Sequence, residues 1–483
     1  MQRGRSESHD GVYRTALVQT LTMNPRESLI SFLGQILPPE RVITDGERIR
    51  LYDSDRAKGF SGRAGLVAMP VSTEEVSLIL STCNDLSFPV YPRAAGTGVT
   101  GAASPLDGGL VLSMEQMNRI LEIDAKNMTA TIEPHVITGE LQKQAKEAGL
   151  FYPPDPASLN ECTIGGNVSQ NAGGPRAVKY GVTKDYVLGM ECVRADGSVL
   201  VTGGKFVKNA TGYNLAQLVT GSEGTLCVIT KLIMRLIPHP ALEYDLLIPF
   251  DTLEGAVDTV AEILFHKVVP STIEFMEDEA IRLVARHRGG TIPFAGAKAH
   301  LIVKLDGRTA DEIEYQLERI LDLPAVDAKR MLIARTAEES INVWEIRRGI
   351  RDALDHFSPV FFAEDCVVPR SVIPGFIKSV KTQLDRFGVS SVLFGHAGDG
   401  NVHIDVLKYD MDEGEWTHKK DAIRNMLYNE AITHGGQISG EHGIGFTKKE
   451  FLERALGKNE YHLMKEIKQV FDPNNILNRG KLF

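Results

Sequence analysis

The stretch Tyr152-Pro153-Pro154-Asp155-Pro156-Ala157-Ser158, followed by Thr163-Ile164-Gly165-Gly166-Asn167-Val168-Ser169-Gln170-Asn171-Ala172-Gly173-Gly174, decides how this chain is read. Two glycine pairs flank two asparagines. Glycine lets a ligand approach the backbone closely. Asparagine amides both donate to and accept from a flat heteroaromatic ring. Upstream, Pro92-Arg93-Ala94-Ala95-Gly96-Thr97-Gly98-Val99-Thr100-Gly101 follows the apolar run Phe88–Tyr91. Small residues at a strand end leave successive backbone N–H groups free to face an anion. Downstream, Thr211-Gly212-Tyr213-Asn214-Leu215 leads to Thr220-Gly221-Ser222-Glu223-Gly224-Thr225-Leu226. Each segment alone is ordinary turn chemistry, but three in one region point to a bound dinucleotide.

A different chemistry lies near the C-terminus. Gly395-His396-Ala397-Gly398-Asp399-Gly400-Asn401-Val402-His403-Ile404-Asp405 and Gly440-Glu441-His442-Gly443-Ile444-Gly445 supply three histidines and a glutamate. Catalytic zinc-type sites take three N/O ligands and keep one position open. His396, His403 and Glu441 meet that count, and His442 stands beside them to handle a proton. Zn2+ or another divalent ion (Mn2+, Fe2+, Co2+) would suit such a site. His239, His266, His287, His300, His418 and His434 read as ordinary core or surface histidines.

A chain of 483 residues exceeds one ordinary core, so two or three domains are expected. A net charge of −10 without a basic run argues against nucleic acid and against anionic membrane surfaces. The cysteines Cys83, Cys162, Cys192, Cys227 and Cys366 are scattered and never spaced C-x-x-C. That excludes an obvious iron–sulfur or zinc-ribbon framework and fits a reducing compartment, so a cytoplasmic location is expected. No apolar stretch approaches the roughly 20 residues of a spanning helix. Met1 to Met23 contains Arg and Ser and is nearly free of acid, which resembles a transit peptide. The plainer reading, adopted here, makes Met23 the natural start.

From Val67 to about Pro240 short apolar strands alternate with amphipathic helices. Ser72-Thr73-Glu74-Glu75 opens a helix through Val76, Ile79, Leu80 and Cys83. Strands are expected at Leu110–Ser113, Thr129–Glu133, Val187–Arg194 and Leu226–Ile237, with a helix at Glu140–Ala148. Pro238-His239-Pro240 breaks the chain. Beyond it, two strand–helix–strand units (244–276 and 300–334) predict an antiparallel sheet with helices on one face, an α+β arrangement. Long helices follow at 338–357, 375–387 and 415–434, with a last one near 461–470.

These motifs together resemble the FAD-linked oxidases of the vanillyl-alcohol-oxidase type, in the branch of D-lactate dehydrogenase, the glycolate oxidase flavin subunit and D-2-hydroxyglutarate dehydrogenase. The resemblance runs from about Val67 to the C-terminus, including the terminal Phe471-Asp472-Pro473-Asn474-Asn475-Ile476-Leu477-Asn478-Arg479-Gly480-Lys481-Leu482-Phe483. It implies a two-lobed α+β FAD-binding domain (45–240) after a lead-in (1–44). A ferredoxin-like substrate cap follows (241–438), and a C-terminal segment (439–483) returns to the flavin. FAD would then be held by Pro92, Arg93, Ala94, Ala95, Gly96, Thr97, Gly98, Thr100 and Gly101 in the first loop. Pro154, Asp155, Ser158, Gly165, Gly166, Asn167, Asn171, Gly173, Gly174 and Tyr180 would follow in the second. Glu223, Gly224, Ile229 and Asn478 would complete the set. The histidine that some branches link covalently to flavin has no counterpart in 93–101, so the FAD should be non-covalent.

The implied reaction is oxidation of a small 2-hydroxy acid. Hydride passes to flavin, the metal binds the substrate oxygens, and His442 takes the hydroxyl proton. Arg347 stands where the family places its carboxylate-binding arginine, a role for which its planar fork is suited. The hydroxyglutarate enzymes carry threonine where Arg351 stands, lysine where Ala363 stands and asparagine where Asp405 stands. Substrate identity is therefore not carried over, and D-lactate or glycolate is favoured over D-2-hydroxyglutarate or D-malate. Arg351 reads as a solvated ion pair with Asp355, four residues on; the sharper alternative gives it a second substrate carboxylate. Expected partners are the substrate and an electron acceptor: a quinone, an electron-transfer protein or an iron–sulfur subunit. Peripheral contact with a membrane and a homodimer are both compatible with that role. Two other classes stay open, a metallohydrolase with a nucleotide-binding domain and an inert electron-relay subunit.

Overall fold

The structure, a computed structural model, describes residues 24–289, 292–294, 296–358 and 360–483. The reading of Met23 as the start lies outside the described residues. Two larger sheets build the N-terminal part, beside a two-stranded pairing of Leu150–Phe151 with Ile237–Pro238. One has the order Val42–Ile43, Leu66–Ala68, Leu110–Ser113, Val90–Arg93, and its last three strands run parallel. Leu66–Ala68 and Leu110–Ser113 are buried along their whole length, as parallel strands covered on both faces must be. Ser72 caps the helix Thr73–Asp85 by accepting from the Glu75 N–H. Val76, Ile79, Leu80 and Cys83 form its buried stripe, packed with Leu66, Leu110 and Leu112.

The second sheet is antiparallel, with the order Ile120–Asp124, Thr129–Ile132, Val228–Arg235, Val187–Val193, Val199–Gly203. The chain end returns to the first sheet. Val90 N–H donates to Ile476 O at 2.8 Å and Asn478 N–H donates to Val90 O at 2.7 Å. The tail thereby covers an edge that would otherwise expose unpaired backbone groups.

The third sheet has seven strands, all antiparallel. Their order is Leu332–Ala334, Leu242–Phe250, Ala299–Gly307, Thr272–Glu277, Ser390–His396, Asn401–Leu407, Phe361–Val367. The four strands anticipated from the sequence occupy one half in the order fourth, first, third, second, a split strand–helix–strand arrangement. The other three extend that sheet.

Helices cover both faces of this sheet, where one face was expected. Helices Leu253–Phe265, Ala310–Leu321, Ile373–Phe387 and Glu413–Thr433 pack on one side. Asp278–Arg288 and Ala337–Phe357 pack on the other. The reason is legible in Leu246-Leu247-Ile248, consecutive apolar residues on a strand whose side chains alternate between faces. Both faces are therefore apolar, and both need a helical layer. Among the described residues no helix is long and apolar enough to cross a membrane.

Candidate active site

The strand period of two assembles the site on one face of the seven-stranded sheet. Glu274 lies directly opposite His396, and His403 lies between Phe394 and Asp365 on its two neighbours. Side chains opposite one another across an antiparallel pair share a face, so Glu274, His396, His403 and Asp365 all point the same way. His396 and His403 stand on two strands of one hairpin, and Glu441 comes from the loop after Glu413–Thr433. His396 Nε2 lies 3.4 Å from His403 Nε2 and 3.4 Å from Glu441 Oε1. The third side, His403 Nε2 to Glu441 Oε1, is 3.5 Å. Three tetrahedral ligands about 2.1 Å from one ion stand roughly 3.4 Å apart. The near-equilateral triangle of Nε2, Nε2 and Oε1 therefore fits a divalent ion without rearrangement.

Buried partners aim these ligands. His396 Nδ1 is hydrogen-bonded to Glu274, and Glu274 Oε2 accepts from Arg347 Nε at 2.8 Å. A carboxylate behind a ligating imidazole sets its tautomer and orientation. Burial opposes charge on Glu441, yet His396 and the other imidazoles hold its carboxyl down at about 2. The same surroundings split the two histidines. Burial works against charge on both, but Glu274 and Glu441 carry His396 upward, while burial and His396 drive His403 down.

Asp365, fully buried, organises the loop that carries Glu441 and His442. Its Oδ2 accepts from the N–H groups of Gly440, Glu441 and His442 at 2.9, 2.8 and 3.0 Å. Its Oδ1 lies 2.5 Å from Lys448 Nζ and 3.2 Å from His442 Nδ1. The carboxylate accepts a hydrogen bond from Nδ1–H and leaves His442 Nε2 as the basic nitrogen. Burial disfavours the imidazolium, but Asp365 and Glu441 raise His442 above its ordinary range. The ring stacks on His403 at 5.6 Å, beside the triangle.

The glycine segments converge on the same loop. A Cβ on Gly173 would stand 3.0 Å from Glu441 Oε2, so the second glycine segment abuts the carboxylate of the triangle itself. Glu223, at φ 52°, accepts from Ile444 and Gly445 N–H at 2.8 Å each. Burial pushes its carboxyl up to about 7 against those two donors. Thr100 O accepts from Phe446 and Thr447 N–H. Asn478 Nδ2 donates to Ala102 O and Glu223 O, tying the tail to both. Asn478 Oδ1 and Gln170 Oε1 are buried without a partner among the described residues. Orphaned acceptors among glycines are a fit for a hydrogen-bonding flat ring such as a flavin.

Several of the residues expected at the cofactor are bonded to protein. Arg93 donates to Ala103 O and Ser54 O, and Asn167 donates to Thr138 Oγ1. Asn171 accepts from Lys184 N–H. Tyr180 donates its hydroxyl to Asp306 of the third sheet. Asp155 pairs with Arg176, and burial lifts its carboxyl to about 6. Ile229 is packed in the second core with Ile132 and Leu232.

One expectation is corrected. Arg351 does not pair with Asp355; it donates to Asp405 Oδ1 at 3.2 Å, while Asp355 bonds Lys58 at 2.7 Å. The guanidinium lies 5.2 Å from the Phe361 ring centroid, on the sheet side of its helix and away from Asp355. Sequence reasoning missed Glu274, Asp365 and Lys448. Their signal was faint but present: Thr-Ile-Glu-Phe-Met and Phe-Phe-Ala-Glu-Asp-Cys-Val each place acid inside an apolar strand, where a charge needs a partner.

Comparison with known proteins identifies the family. The family of FAD binding domains matches residues 64–203, and that of FAD linked oxidases, C-terminal domain, matches 241–482. Glycolate oxidase subunit GlcD of Bacillus subtilis is 38% identical over 96% of this chain and 97% of its own length. D-lactate dehydrogenase of Anaerostipes hadrus is 36% identical, covering 92% and 95%. D-2-hydroxyglutarate dehydrogenase of Stutzerimonas stutzeri is 32% identical, covering 94% and 99%. Among solved structures, p-cresol methylhydroxylase superposes with a TM-score of 0.79 at 19% identity, covering 96% and 98%. That last likeness is one of fold.

Proposed function

The chain belongs to the FAD-linked oxidases, and on that premise we propose that it oxidises D-2-hydroxy acids of the D-lactate or glycolate type to 2-oxo acids. The observation that carries the reading is the His396–His403–Glu441 triangle with His442 beside it and the flavin-type glycine segments pressed against its loop. When bound, FAD supplies the hydride acceptor, and a divalent ion on the triangle supplies the Lewis acid that acidifies the substrate hydroxyl. The chain does the rest. His442 Nε2 accepts the hydroxyl proton, with Asp365 holding Nδ1–H and stabilising the imidazolium that forms. Arg347 gives its Nε to Glu274 and keeps its two Nη groups for the substrate carboxylate. The hydrolase reading lacks a use for the glycine segments.

All five cysteines are buried and unpaired. An acceptor outside the chain, a quinone, an electron-transfer protein or an iron–sulfur subunit, therefore takes the electrons. The test is anaerobic flavin reduction by achiral glycolate and across paired D- and L-2-hydroxy acids. Among the chiral pairs, bleaching by the D series alone is expected. Bleaching by none of these acids returns the reading to the inert relay subunit.

A further inference from the structure

Arg351 and Asp405 form a pair beside the proposed substrate site that the reaction as described does not use. Two rulers place it. Asp405 follows His403 by two residues on the same strand face, about 7 Å along it. Arg351 follows Arg347 by one helical turn, about 6 Å along the helix Ala337–Phe357. A 2-hydroxy acid anchored at the triangle and Arg347 would extend its distal carbon chain into this neighbourhood. Directly opposite Asp405 on the adjacent strands stand Ala363 and Val392, neither of which carries charge.

Asp405 is fully buried, and its Oδ2 has no partner among the described residues. Its Oδ1 accepts from Arg351 Nη1, whose side chain stays 43% exposed. The acid thus holds the guanidinium and cancels its charge on the side a substrate tail would approach. Lys58 lies 3.5 Å from the centroid of the same Phe361 ring and is itself paired with Asp355, and His442, which also acts on Asp405, is paired with Asp365. Among the described residues Arg351, Lys58 and His442 are thus each matched by an acid (Asp405, Asp355 and Asp365), and the distal region offers no uncompensated positive charge to a second carboxylate. Bringing such a carboxylate beside a buried, half-satisfied aspartate costs repulsion and desolvation together.

We propose that Asp405 is the specificity-determining residue that makes this a monocarboxylate site, by sequestering the arginine that would otherwise receive a distal carboxylate. This rests on the D-2-hydroxy-acid reading given above. Asp405→Asn keeps the shape and removes the charge, so Arg351 becomes free to bind.

The experiment measures second-order rate constants of anaerobic flavin reduction by D-lactate, D-malate and D-2-hydroxyglutarate. Wild type should favour D-lactate. Asp405→Asn should raise the dicarboxylate-to-lactate ratio by at least about tenfold, the scale of one relieved charge conflict. Asp405→Asn combined with Arg351→Met should return the ratio towards wild type. Asp405→Ser serves as a second charge-removing variant, with FAD content as the check on folding. A wild-type preference for either dicarboxylate overturns the proposal. So does a ratio unmoved in both charge-removing variants while D-lactate still bleaches the flavin. If no 2-hydroxy acid bleaches wild type, the oxidation reading itself fails.

Discussion

His442 and Asp365 act as a unit, and their roles separate by substitution. His442→Gln should retain FAD and metal but slow flavin reduction by about a hundredfold, the usual scale of lost general-base help; stopped-flow absorbance at the flavin band reads it directly. An unchanged rate would assign the proton to another acceptor. The three ligands behave differently. His396→Ala, His403→Ala and Glu441→Gln should each lower metal content by at least about tenfold while FAD stays bound. Metal analysis alongside flavin absorbance checks this, and full occupancy in all three removes the ligand assignment. These four residues were legible because histidine and glutamate among glycines stand out. Glu274 and Asp365 were not, since an acid inside an apolar strand shows its partner only once the strands are paired.

At the scale of elements, the loop Gly440–Gly445 depends on its glycines. Gly443 sits at φ +80°, and a Cβ there would meet Gln170 Oε1 at 2.3 Å and Glu223 Oε1 at 2.8 Å. Gly443→Ala forces either a strained left-handed residue, costing about 1–2 kcal/mol, or a shift of the loop. The expected outcome is weaker FAD retention and slower flavin reduction together, read by dialysis and stopped flow. Normal values of both would mean that the loop does not shape the cofactor cradle.

The seven-stranded sheet offers a test of its own. Burial drives the His300 imidazole down to about 4 from its ordinary value near 6.5. The unfolded chain then binds the proton first, so stability falls as pH drops from about 6.5 towards 4 and levels off below. His300→Phe should flatten that acid limb in urea titrations by a few kcal/mol at most. A limb of unchanged slope would mean that His300 is not the group responsible. Most helix and strand positions between Val67 and Ala334 were readable from periodicity, though not the strands Ile120–Asp124 and Val199–Gly203 or the helix Asp278–Arg288. The strands Phe361–Val367, Ser390–His396 and Asn401–Leu407 were not, because their pattern is interrupted by acids and by the glycines of the hairpin. The coverage of both faces was signalled by the run Leu246-Leu247-Ile248, which the reading of one helical face passed over.

For the whole molecule, three sheets, a returning tail and one loop meet at a site that, under the proposed function, would use both FAD and a divalent ion. The tail reinforces this union, since Asn478 and Lys481 bond the carbonyls of Gly101, Ala102 and Ser104. Motif content made the family legible from sequence, but the partner of Arg351, Asp405 and not Asp355, was not, because it depends on which side of its helix the guanidinium takes. The central claim is tested most directly by anaerobic titration of the purified holoprotein with D-lactate before and after removal of metal by a chelator. The account predicts bleaching of the flavin in the first case. After chelation it predicts retained yellow colour without bleaching, and recovery when a divalent ion is restored. Equal bleaching with and without metal, or equal bleaching by L-lactate, would contradict it.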